Sequence, residues 1–330
     1  MRSITSLIKE FWVHLPIWFF VFTAGRMIHM NMTSLPGGPR PAWAWTVIPA
    51  LLVVFLYYAR RISTDSSMER KQDALGYVVL AGMAAVLLPY YLSPEGFLPL
   101  RADGSPNEGL VYMHEYTTFV WVSLLMLHCL WFRGWRGFVM FFVIGLAYGT
   151  ALESSGTVNG FFHEQGYHYE IARNYLAPAA TILGWTTVFY PTVVIAEMVW
   201  RNVKIHPVIF GITAASAGTL LDVGVDPIAT EVHLWFWNDL LGQGPLLWGV
   251  PALNFASWFF ALIPFAAALY WIERKREWST LRKFVALVIA VPLSQAISGL
   301  CIVITMGLVE GWDGPTLTIF KQGINKSLGM

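Results

Sequence analysis

The chain has 330 residues, of which 56% are hydrophobic and only 12% charged, and its mean hydropathy is +0.55. A soluble domain carries nearer a quarter charged residues, so the composition excludes an ordinary soluble protein and points to a polytopic membrane protein. The net charge of +1 gives no electrostatic case for nucleic acid, and Cys129 and Cys301 sit inside apolar runs with neither a disulfide framework nor zinc spacing.

Nine apolar spans are predicted, approximately 11–28, 43–60, 74–92, 113–132, 136–152, 176–200, 206–226, 246–272 and 282–309. Each is near the ~20 residues that cross a bilayer, and irregular backbone cannot face lipid, so all are expected to be helices. The expected fold class is therefore all-α, a polytopic transmembrane helix bundle. Arg2 and Lys9 precede an apolar run from Phe11 without a small-x-small cleavage site, which reads as an uncleaved first helix. With the N-terminus inside, the inner segments hold 15 of the 21 Lys and Arg, leaving Arg26, Arg40, Arg101, Arg173, Lys321 and Lys326 outside. That asymmetry follows the positive-inside rule and favours an odd number of spans, with the C-terminus outside. Residues 1–110 read as an N-terminal extension of three spans, and 111–330 as the core bundle that carries the candidate site.

In chain order, His14 and His29 read as packing residues, and Arg26 as a side chain that snorkels to the outer interface. The connector 93–112 is rich in Gly, Pro and charge and reads either as a lid or as a plain link. Span four opens on His114-Glu115-Tyr116, but the HExxH arrangement of metal sites is absent. Span five carries Gly145-Leu-Ala-Tyr-Gly149, a small-xxx-small packing motif, and ends in Glu153.

Two stretches hold the candidate chemistry. In 153–185, glycines 156, 160 and 166 separate Glu153 from His163, Glu164, Tyr167, His168 and Tyr169. This segment reads as a re-entrant loop over a pocket or as a solvated outer loop. In 219–258, Asp222, Asp226, Glu231, Asp239 and His233 lie among Trp235, Trp237 and Trp248. Asp222 and Asp226 are four apart and share a helix face. No polar spacer separates them from the run Pro207–Leu221, and ionisable groups in such a place either mark a function or cap the helix end at the headgroup water. Span eight is expected to open on Trp248-Gly249-Val250-Pro251 and to carry Asn254 and Trp258 on one face with Pro251. A buried Asn needs partners, either a water, a carboxylate or a neighbouring helix. The C-terminal tail 310–330 shows no clear pattern.

These residues resemble the integral-membrane carotenoid biosynthesis family, which includes carotenoid 1,2-hydratases and bisanhydrobacterioruberin hydratase. The likeness is carried by Leu221-Asp222, Asp226-Pro227, the stretch Trp235–Trp237, Trp248-Gly249-Val250-Pro251 and Asn254 through Trp258. Upstream it is carried by Glu153, Gly156, Gly160, the Tyr167/Tyr169 pair and Leu176-Ala177-Pro178, and it covers roughly residues 137–309. The resemblance implies addition of water to a terminal isopropylidene double bond of a lipophilic polyene that enters from the membrane. It implies no cofactor and no metal, and a bacterial or archaeal cytoplasmic membrane as the location. The chemistry needs an acid held protonated near neutral pH, which burial beside a second carboxylate favours. Asp222 is then the expected proton donor and Asp226 its partner, with Glu153 or His163 handling the water. Trp235, Trp237, Trp248 or Tyr167 would face the cation, and Tyr169, Asn254 and Trp258 would complete the substrate wall. A metal- or haem-dependent redox protein using the histidines and a small-solute transporter are the alternatives; the second more often shows internal repeats, which are absent here.

Overall fold

A backbone surrounded by acyl chains must satisfy its own N–H and C=O groups, and helices do so within one segment. In the computed structural model the described residues are Leu15, 108–164, 167, 169–171, 176–200, 203–231 and 234–328. The spans expected over 43–60 and 74–92, all of the span expected over 11–28 except Leu15, most of the connector 93–112, and His14, Arg26, His29, His168, Arg173 and His233 lie outside them.

The helices are α1 (Glu108–Phe138), α2 (Ile144–Asn159), α3 (Ala179–Val199), α4 (Pro207–Glu231), α5 (Ala252–Glu273), α6 (Thr280–Val309) and α7 (Pro315–Leu328). A π-helical turn, Val139–Val143, joins α1 to α2. Five helical runs are long and apolar enough to cross a membrane, among them His114–Asn159 with 46 residues. At 1.5 Å per residue that run measures ~70 Å, more than twice the ~30 Å hydrocarbon core. It does not run straight. Gly134 adopts φ 66° and ψ −173°, a backbone region that glycine enters without steric cost. The Tyr190 ring lies 5.7 Å from His128 and 5.1 Å from Phe141, positions that a straight helix would hold ~20 Å apart. The chain therefore doubles back at Gly134 into two arms, matching the separate spans expected over 113–132 and 136–152.

α3 lies at the centre, with Thr186, Tyr190, Thr192 and Ala196 fully buried. Tyr148 of α2 stacks on Phe265 of α5 at 4.5 Å and donates its hydroxyl to the Ala261 carbonyl at 2.7 Å. α4 and α5 form the tightest seam. A Cβ on Gly218 would collide with the Leu262 side chain, and one on Gly211 with the Ile263 carbonyl oxygen. Ala214 and Ala215, both fully buried, lie between them. Without side chains in the way the two axes approach closely, as small residues permit in membrane bundles. α6 contributes less to the core and leaves Leu281, Leu293, Leu300 and Leu308 exposed along its length, an apolar stripe suited to acyl chains.

The two ends of the bundle differ in chemistry. One end, where α2, α4 and α6 finish, carries two short β-ribbons, so the fold is mostly rather than purely helical. β1 (Phe162–Glu164) pairs antiparallel with β2 (Trp235–Trp237), Phe162 opposite Trp237 and His163 opposite Phe236. β3 (Leu246–Leu247) pairs with β4 (Val250–Pro251) across Trp248-Gly249, whose φ values are 52° and 80°. Two central residues at positive φ make a primed hairpin turn. Span eight therefore opens at Ala252 rather than at Trp248: Pro251 takes the N-cap position at φ −59° and ψ 137°. The tail expected to be featureless forms α7, held at its start by Glu310, which accepts from the Thr316 N–H at 2.9 Å and its hydroxyl at 3.0 Å. α7 buries Leu317, Ile319 and Gly323, exposes Lys321 and Asn325, and meets Phe161 through Phe320 at 4.7 Å. Its apolar face thus packs on the bundle and its polar face is exposed.

The opposite end is basic. Arg133 pairs with Glu197 and lies 4.0 Å from Glu273, with its guanidinium 4.7 Å from the Phe141 ring. Lys283 closes the α5–α6 corner by donating to the Glu273 carbonyl at 2.8 Å.

Candidate active site

The seam that brings α4 against α5 also delivers the acids. Gly211, Ala215, Gly218 and Asp222 recur at helical spacing on one face, so the face that meets α5 ends on a carboxyl. Asp222 is fully buried and Asp226, one turn further, is 3% exposed. Their carboxyls lie within hydrogen-bonding reach of each other. Asn254 follows Pro251 in the first turn of α5 and is also buried. Its Nδ2 donates to Asp222 Oδ2 at 2.7 Å and lies within reach of Asp226. Asp222 Oδ1 has no hydrogen-bond partner among the described residues. No lysine or arginine among them acts on either acid.

Glu153, near the end of α2, is the third acid, close enough to act electrostatically on both aspartates. Its carboxylate accepts from the indole N–H of Trp185 on α3. The Trp185 ring stacks on Trp258 of α5 at 4.6 Å and 28°. Four helices thus each place a group at the ribbon end: Glu153 from α2, Trp185 from α3, Asp222 and Asp226 from α4, Asn254 and Trp258 from α5. Trp185 was not singled out from the sequence. The available signal was an indole inside an apolar span, whose N–H needs an acceptor once buried.

The other expected site residues fall around this group. Tyr167 is buried one layer nearer the ribbons, packed with Val111, Ala180, Ala229 and Leu234, with Phe119 and Trp235 against them. His114 meets its ring edge-on at 6.0 Å. Trp235 and Trp237 are half-buried on β2, and Trp237 donates to the Thr230 hydroxyl at 3.0 Å and meets Phe162 at 5.5 Å. Trp248 occupies the hairpin turn. Two expected residues are placed elsewhere. His163 is exposed and stacks on Phe236 at 5.1 Å. Strand alternation turns it to the face opposite Phe162 and Trp237. Tyr169 is 50% exposed, with its ring 5.2 Å from Phe119 and its backbone N–H donating to Glu115 at 3.1 Å. Among the described residues no three His, Cys, Asp or Glu side chains group as metal ligands would.

Fold and site together define a polytopic helical membrane protein with a buried acid cluster and aromatic stacks at one end of its bundle. The family model of the carotenoid biosynthesis proteins matches residues 113–318, and the chain belongs to that family. Membership assigns it a part in carotenoid biosynthesis and implies a lipophilic isoprenoid substrate. No curated protein and no solved structure matches the chain significantly.

Proposed function

We propose that the protein is a carotenoid hydratase that adds water across a terminal isopropylidene double bond. The observation that carries this is the Asp222–Asp226 pair, two buried carboxyls in reach of each other with Asn254 as donor and no cation beside them among the described residues. Two such groups cannot both ionise at low cost, so the pair shares a proton. Asn254 donates to Asp222 Oδ2, which leaves Oδ1 as the oxygen to carry the proton.

In this reading the Asp222 proton adds to the CH carbon of the double bond, and the π electrons form the new C–H bond. The carbon bearing the two methyl groups becomes a tertiary cation. Water adds there through its oxygen lone pair, and its surplus proton passes to Glu153 and returns to Asp222, so no redox partner is needed. Trp185 holds Glu153 by hydrogen bond, and the stacked Trp185–Trp258 pair supplies a π surface to the cation. Such contacts contribute ~2 kcal/mol when desolvated. His163 has no part, since it lies on the outer face of the ribbon.

The test is expression in a host that accumulates an acyclic carotenoid, with mass analysis of the pigments. Wild-type protein should yield products heavier by one water, and Asp222→Asn should lower product per folded protein by the ~10²-fold typical of losing a general acid. Full activity in Asp222→Asn, or pigments changed without gain of water, would overturn the assignment.

A further inference from the structure

At the basic end, α3, α4, α5 and the segments that follow α3 and α5 line an open pocket of about 430 Å³, at the end of the bundle away from the aspartates. Its walls are apolar: Trp200, Val203 and Phe210. Its polar groups are arranged in two layers. Lys204 and Arg274 stand exposed at the rim, and neither forms a salt bridge with a carboxylate among the described residues. Tyr270 lines the pocket, is 4% exposed, and its buried hydroxyl has no hydrogen-bond partner among the described residues. Its ring is fixed between Phe210, stacked at 4.2 Å, and the Arg274 guanidinium, 3.5 Å from its centroid. The one acid in the lining, Glu197, is already engaged by Arg133. A buried hydroxyl with nothing to bond is costly, and two rim cations above an apolar wall call for an anion with an apolar body.

We propose that this pocket binds the phosphate of an anionic phospholipid. Lys204 and Arg274 meet the phosphate oxygens, and the Tyr270 hydroxyl donates to the deepest of them. Val208, Ile209 and Ile212 are exposed on the first turns of α4 beside the pocket, and they offer a path for the acyl chains. A free phosphate would satisfy the polar groups but not the apolar wall, which is why the lipid is the favoured source. Basic pockets between spans at the positive end of a membrane protein are suited to such headgroups.

The test uses the full chain in phosphatidylcholine nanodiscs containing a minority of phosphatidylglycerol, followed by native mass spectrometry of the released protein. Wild-type protein should retain phosphatidylglycerol in preference to phosphatidylcholine. Lys204→Gln and Arg274→Gln should each lower that occupancy about five-fold, as expected for one surface cation near an anionic lipid. Tyr270→Phe, which removes only an unbonded hydroxyl, should lower it without lowering the thermal transition in pure phosphatidylcholine. Inorganic phosphate added in excess should not displace the lipid. Equal retention of both lipids, unchanged occupancy in all three variants, or displacement by phosphate would overturn the proposal.

Discussion

Asp222 sits where a glycine seam ends, and the seam matters as much as the acid. Gly211→Ala would drive a methyl group into the Ile263 carbonyl oxygen, a backbone atom that cannot swing aside. Overpacking of this kind costs ~1–3 kcal/mol, and the thermal transition of the detergent-solubilised protein should fall accordingly. Gly145→Ala is the control. Among the described residues nothing lies within 4 Å of the added methyl, whereas a Cβ on Gly149 would meet Trp185, so stability should hold or rise. Trp185→Phe keeps an aromatic face for Trp258 but leaves the Glu153 carboxylate without its donor. The expected loss is ~1–3 kcal/mol, the usual cost of stranding a buried polar partner. An unchanged transition in Trp185→Phe would mean that this hydrogen bond does not hold Glu153 in place.

Among the elements, the β3–β4 hairpin stores backbone strain at Trp248, a bulky side chain held at φ 52°. The left-handed region costs an L-residue ~1–2 kcal/mol, and glycine is spared that cost. Trp248→Gly and Trp248→Ala remove the same indole contacts, so Trp248→Gly should be the more stable of the two by ~1 kcal/mol. Equal unfolding midpoints would mean that Trp248 is not strained. At the other end, Arg133 sits between Glu197 and Glu273. Arg133→Gln leaves two acids facing each other around aromatic rings. Breaking a buried pair costs ~3–5 kcal/mol and an exposed one under ~1. These side chains are 20–31% exposed, so a loss of ~2 kcal/mol is expected, partly recovered in Arg133→Gln/Glu197→Gln.

Across the whole molecule, the two ends carry opposite chemistry. Arg133, Lys204, Arg274, Lys275, Arg282 and Lys283 gather at one end, and Asp222, Asp226, Glu153, Asp239 and Glu310 at the other. By the positive-inside rule the basic end is expected in the cytoplasm and the ribbons and α7 on the far side. Reporter fusions after Lys204 and Lys275 should signal cytoplasm, and fusions at Asp239 and the C-terminus the opposite compartment. A cytoplasmic C-terminus would refute this orientation.

The apolar runs of the core were legible from residue types alone, because a ~30 Å hydrocarbon layer demands long uninterrupted helices. The Asp222–Asp226 pair was legible for a related reason: four residues is one helical turn, and charge beside an apolar run is conspicuous. The contacts that make the pair a candidate site were not. Asn254 lies 32 residues from Asp222, and Trp185 lies 32 from Glu153; no local periodicity links them. The ribbon that turns His163 away depends on β1 finding β2 beyond the two intervening helices α3 and α4, and the register of that pairing decides which side chain faces inward. Trp248 and Pro251 read as the start of a span because they are apolar, yet the primed turn needed to reverse the chain outranked hydropathy there. Local spacing determined the helices and their faces, while long-range packing decided which faces meet.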